Sequence, residues 1–154
     1  MIEMREACAE DCWEVYNIAN DSLVRAVSFS SDPIPYEDHK KWYAKRLGDP
    51  DCLFMLFFVD GKLAAQIRFA REDEDFAELS ISVAVAFRGR GLAPQCIELA
   101  REALFRKWNV GCIQALVKRD NDASNKLFLK TGFVLGEHRI FKGSECNVYV
   151  FKRR

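Results

Sequence analysis

At 154 residues, with 23 basic and 23 acidic side chains and 49% hydrophobic residues, the chain is sized for one domain, residues 1–154, burying roughly 70% of its unfolded surface. The balanced charge argues against a nucleic-acid partner, the hydrophobic content against disorder, and the lack of any run near 20 apolar residues against a membrane span. Without a leader at its start or a CxxC pair among Cys8, Cys12, Cys52, Cys96, Cys112 and Cys146, the chain is expected to be cytoplasmic, with reduced core thiols and no metal.

In chain order, residues 2–5 read as a first strand, and Cys8, Cys12, Val15, Tyr16 and Ala19 recur at helical spacing on one face. Residues 20–35 carry turn chemistry without a strong period, a long connection of the kind that holds functional groups. Tyr36 to Leu47 resumes as a helix. Leu53–Val59 and Leu63–Ala70 are of strand length, and Asp60-Gly61 between them is a hairpin signal.

The acidic run Glu72 to Asp75 marks a solvated turn, after which Leu79, Ile81, Val83 and Val85 alternate with polar residues in a strand read over 78–86. Ile97, Ala100, Leu104 and Trp108 then share one face of a helix from Pro94 to Trp108. Cys112–Val117 reads as a strand, Asp122–Lys130 as a helix ended by Gly132, and 133–141 with 145–152 as a hairpin about Lys142-Gly143. A helix crossing between the strands at 78–86 and 112–117 implies a mixed α/β sandwich around a central sheet.

Chemistry concentrates in Arg88-Gly89-Arg90-Gly91-Leu92-Ala93. Two glycines allow a tight turn and close approach to a ligand, and the helix start that follows presents unpaired N–H groups and a positive dipole end. Such a site suits a diphosphate, with Arg88 and Arg90 as candidate charge partners or ordinary surface arginines. Dinucleotide binding is disfavoured because Pro94 occupies the third glycine position of G-x-G-x-x-G, and the Gly-Lys-Ser/Thr of a P-loop is absent.

Arg88-x-x-Gly91-x-Ala93 resembles the acyl-CoA signature of the GNAT superfamily of N-acyltransferases. Asn121 to Phe133 resembles that family's Asn-x-x-Ala/Ser helix ending in Lys-x-Gly-Phe. The resemblance covers essentially the whole chain and implies a mostly antiparallel central sheet of about seven strands flanked by about four helices. It also implies acetyl-CoA as co-substrate, transferring its acetyl group to a primary amine by direct attack. On this basis the backbone of Val83, Ala84 and Val85 would meet the pantetheine arm, residues 88–93 the pyrophosphate, and Asn121 and Ser124 the cofactor's other side. Phe128 stands where many members place a tyrosine that protonates the leaving thiolate, so it has no proton to give and would pack against the acyl arm.

Glu78, on one strand face with Ser80 and Ser82, lies close to where family members carry a proton-accepting carboxylate, and it is the candidate base. The competing reading is a wet polar face that Glu78 shares with Gln66 and with Arg68, the latter a candidate substrate contact. Arg25, Ser28, Ile34, His39 and Trp42 resemble the pattern of GNAT enzymes acting on nucleotide-linked amino sugars in pseudaminic-acid-type pathways. That resemblance implies a UDP-linked amino sugar as acceptor, which is chemically consistent with Arg25 and His39 on its diphosphate and Trp42 or Tyr43 stacked on its base. A protein N-terminus or a polyamine is the rival acceptor, and a non-catalytic acyl-CoA sensor the rival of another class.

Overall fold

The computed structural model describes residues 1–153. Its strands are β1 (Ile2–Glu6), β2 (Cys52–Val59), β3 (Lys62–Arg71), β4 (Phe76–Val83), β5 (Cys112–Lys118), β6 (Val134–Phe141) and β7 (Ser144–Lys152). Its helices are α1 (Cys12–Ala19), α2 (Ser22–Val27), α3 (Tyr36–Leu47), α4 (Leu92–Lys107) and α5 (Asp122–Lys130). One seven-stranded sheet has the order β1-β2-β3-β4-β5-β7-β6, antiparallel except where β4 and β5 run parallel. The expected fold class is observed, with five helices rather than about four.

The additional helix is α2. Asn20-Asp21-Ser22 reads as a turn, but the Asp21 side chain caps a helix, accepting from the Leu23 and Val24 N–H groups at 2.9 and 3.4 Å. Two further expectations are corrected. Cys8 does not lie on the α1 face: it precedes a 3-10 turn at Ala9–Asp11 and is exposed, while Cys96 and Cys146 are the buried thiols. The strand read over 78–86 stops at Val83, because the chain turns at Ala84 into a 3-10 segment, Val85–Phe87, that buries Phe87.

The sheet is covered on both faces, which is why β2 reads as an unbroken apolar run. On one face Ile97, Ala100 and Leu104 of α4 pack against Phe57, Ile67 and Phe69. On the other, Val15 of α1 and Tyr43 of α3 pack against Phe54 and Leu56. Both hairpin turns place a non-glycine and a glycine at positive φ, Asp60-Gly61 and Lys142-Gly143, as a tight two-residue connection requires.

One irregularity in the sheet positions the site. β4 and β5 pair only from Phe76 to Glu78 and from Cys112 to Gln114. Beyond that rung β4 stays on β3 as far as Val83, and β5 stays on β7 as far as Lys118. The two strands therefore part and leave a slot between them, open toward the glycine turn. No helix among the described residues is long and apolar enough to cross a membrane, and no metal-binding cluster occurs among them.

Candidate functional site

A cavity of about 920 Å³ fills the slot and extends beneath α2 and α3. At its outer end Gly89 and Gly91 adopt φ of 74° and 72°, a left-handed conformation that glycine takes without strain. A Cβ added at either would meet nothing within 4 Å, so the backbone there is open to a ligand. Gly91 caps α4 without a side chain, and no acidic residue occupies the first turn. The Leu92 and Ala93 N–H groups thus begin a helix with no internal acceptor, a setting for an anion. Pro94 falls at the third helical residue, where the missing N–H costs nothing.

The cavity is lined by Val83, Arg88, Gly89, Gly91, Leu92 and Ala93 among the predicted cofactor residues, but not by Ala84, Val85 or Arg90. Arg90 lies over the Phe87 ring at 5.1 Å, and Val85 sits in the 3-10 segment with its side chain 45% exposed. The Ala84 N–H donates to the Ala64 carbonyl at 2.8 Å, and among the described residues no backbone carbonyl accepts from the Val85 N–H. The Arg88 Nε–H reaches the Val83 carbonyl at 3.4 Å, holding the turn against the end of β4. Open glycine backbone, a free helix start and two parted strand edges together fit a diphosphate trailed by an amide-bearing arm.

Across the slot, α5 contributes Asn121, Ser124 and Phe128. Asn121 caps the helix, its Oδ1 accepting from the Ser124 N–H at 3.3 Å. Phe128 is 2% exposed, crossing Phe133 edge-on and stacking on Tyr149. Sequence reasoning passed over Asn125. Its Nδ2 donates to the carbonyls of Lys118, Arg119 and Asn121, and its Oδ1 accepts from Asn147 Nδ2 and, at 2.6 Å, from the Tyr149 hydroxyl. It ties the start of α5 to the end of β5 and to β7.

Glu78 stands at the closed end of the slot, half-buried and paired with Gln114. Burial pushes its carboxyl above the ordinary range and Glu72 adds to this, while Arg68 and Arg139 oppose it. Arg68, one strand away on the same face, lays its guanidinium 4.9 Å over Trp42 and donates to Ser80 Oγ at 3.4 Å. The supposedly wet face is drier than expected: Gln66 is 7% exposed, and its Oε1 meets no donor. The signal for Gln66 was its spacing of two from Arg68 in an otherwise apolar strand.

Arg25, His39 and Trp42 also line the cavity. The Arg25 side chain donates to the carbonyls of Asp32 (Nε, 3.0 Å) and Ser30, pinning the loop after α2, so those donors are not presented to a diphosphate. His39 is 2% exposed within a ring cluster of Tyr16, Trp42 and Tyr43. Burial holds its pKa below the ordinary range, against the Cys12 backbone, and its Nε2 has no partner. The Trp42 ring is flanked by Arg68 and Phe54.

The model of the acetyltransferase (GNAT) family matches residues 12–133. No curated protein matches the sequence. Among solved structures, the chain is similar to spermidine N-acetyltransferase from Vibrio cholerae in complex with CoA and spermine, with TM-score 0.88, 19% identity and coverage of 98% of this chain and 95% of that one. It is also similar to a GNAT-family acetyltransferase from Streptococcus pneumoniae (TM-score 0.80, 20% identity, 99% and 100% covered). A third similar structure is YncA of Salmonella typhimurium with its cofactor acetyl-CoA (TM-score 0.80, 18% identity, 98% and 93% covered). At these identities the structural likeness speaks to the fold.

Proposed function

The chain belongs to the acetyltransferase (GNAT) family, and from that premise we propose that it moves an acetyl group from acetyl-CoA to a primary amine by direct attack within a ternary complex. The observation that carries this reading is the parting of β4 and β5 beyond Glu78 and Gln114, with a glycine-capped helix start at the mouth of the slot and a carboxyl at its apex. Acetyl-CoA supplies an activated acyl group as a thioester. The Leu92 and Ala93 N–H groups and Arg88 hold its diphosphate, and the free edges of β4 and β5 flank its arm. The Val85 N–H polarises the thioester carbonyl.

The amine must be neutral to attack. As its nitrogen bonds to the acyl carbon and the C–S bond breaks, the nitrogen loses a proton to Glu78, directly or through one water. A carboxyl raised by burial suits that task better than an ordinary surface glutamate. Phe128 offers the departing sulfur no proton. A thiol with an ordinary pKa near 8.5 leaves as thiolate and takes its proton from water.

The resemblance of Arg25, His39 and Trp42 to amino-sugar-nucleotide enzymes supports a UDP-linked amino sugar as acceptor, although Arg25 donates to loop carbonyls. A polyamine acceptor is the second reading, favoured by the spermine bound in the similar Vibrio cholerae structure. Release of CoA from acetyl-CoA, measured against a panel of amino-sugar nucleotides, polyamines and peptides, tests the function. Release with at least one amine is expected. Binding of acetyl-CoA without release to any amine would leave only a sensing domain.

A further inference from the structure

We infer that the acceptor amine carries an anionic group, a carboxylate or a phosphate a few bonds from its nitrogen, and that Arg68 and Gln66 receive it beside His39. This inference rests on the acetyl-transfer reading above. Arg68 projects into the cavity from the middle of β3 and is half-buried. Among the described residues no carboxylate lies within 4.0 Å of its guanidinium; the salt bridges are all made by other cations. A guanidinium drawn out of water without a carboxylate in contact is costly; burial is the leading influence on Arg68, with Glu78 acting on it only from a distance.

Two independent observations point to the same place. Gln66 Oε1 and His39 Nε2 are buried polar atoms without partners, on residues 7% and 2% exposed, and both residues line the cavity with Arg68. Buried polar groups in folded proteins are nearly always paired. An anion takes the donors at this place: Arg68 donates from a planar fork and Gln66 donates once its amide is turned, while neutral His39, its one ring N–H held by the Cys12 backbone, leaves Nε2 to accept from the acceptor's own N–H or O–H.

The spacing sets the size of the acceptor. Arg68 pairs with Ser80, and Glu78 with Ala70, so Arg68 and Glu78 are diagonal neighbours with Cβ atoms about 7 Å apart. An amine at Glu78 therefore reaches Arg68 with an anionic group only a few bonds away, as in a small amino acid or an amino-sugar phosphate. A polyamine would bring a second ammonium against Arg68.

The test uses the full chain and matched acceptors: an α-amino acid against its carboxamide, an amino-sugar phosphate against the parent amino sugar, and spermidine. The anionic member of a pair is expected to show kcat/KM higher by about tenfold or more, and the pair that shows it identifies carboxylate or phosphate. Arg68→Met should collapse that ratio toward one through KM, and Arg68→Lys should restore part of it. Gln66→Glu, which sets a competing carboxylate beside Arg68, should raise KM for the anionic acceptor. Equal use of acid and amide, or a preference for spermidine, overturns this inference and leaves acetyl transfer intact. If acetyl-CoA binds but no amine releases CoA, acetyl transfer itself fails. The ratio in the unaltered protein decides even if a variant does not fold.

Discussion

Glu78 and Gln114 face each other across the last rung that β4 and β5 share, which fixes a half-buried carboxyl at the apex of the slot. Below its raised pKa the carboxyl is protonated and accepts nothing; above it the carboxylate is available. Transfer should therefore quicken as pH climbs through that value. Glu78→Gln is expected to cut kcat roughly a hundredfold and to erase this ascending limb while the limb of the amine stays, as pH–rate profiles will show. The stability effect has the opposite direction. A carboxyl whose folded pKa is raised contributes stability below its unfolded pKa, and this is lost as pH rises through the folded value. At neutral pH, Glu78→Gln should melt higher than the parent.

Asp11 gives the contrasting case. Its carboxylate accepts two 2.8 Å hydrogen bonds from Arg5 and a third from the Cys8 N–H at 2.9 Å. The Arg5 hydrogen bond foremost lowers its pKa from 3.8 to about 2. Its stabilisation is complete above the unfolded value and is lost as pH falls toward about 2. Asp11→Asn should cost about 2 kcal/mol at neutral pH, and urea unfolding should show the gap from the parent closing in acid.

Gly91→Val separates fold from ligand. The backbone there holds φ at 72°, but nothing stands within 4 Å of a new Cβ. Strain of about 1–2 kcal/mol is expected, together with a fall in acetyl-CoA affinity of at least about tenfold as the side chain takes the diphosphate's approach. Calorimetric titration beside a melting curve checks both; undiminished affinity would remove the diphosphate from this turn.

Asn125→Ala leaves the Tyr149 hydroxyl, on a residue 2% exposed, without its acceptor, and removes the Nδ2 donor from three carbonyls, of which those of Lys118 and Asn121 keep a backbone N–H. A loss of about 3 kcal/mol in urea unfolding is expected. Tyr149→Phe should cost about 1 kcal/mol, since Asn125 keeps its other bonds.

Elements with strong local signals were legible: Tyr36–Leu47 is the helix its pattern predicts, and Asp60-Gly61 and Lys142-Gly143 turn their hairpins. The glycine turn at 88–91 was legible because positive φ leaves a mark in residue type. Asp21 misled because aspartate serves turns and helix caps alike. The orphaned atoms of Gln66 and His39 and the hub at Asn125 were not legible, because each depends on groups distant in sequence. Asn125 joins carbonyls before α5 to Asn147 and Tyr149 of β7, and no spacing rule along the chain encodes that.

The parted strands also make the fold an unfinished sheet. Residues 80–83 of β4 and 115–118 of β5 each keep a neighbour on one side only, so a ligand arm lying between them serves as the strand that closes the gap. Cofactor and fold are then coupled thermodynamically: at a hundred times its Kd, a ligand selective for the native state adds about 2.7 kcal/mol. Amide hydrogen exchange in these two stretches should slow on addition of CoA, ahead of any change in the β2–β3 hairpin. The segment that serves chemistry would thus be the part of the sheet whose cohesion depends on metabolite supply.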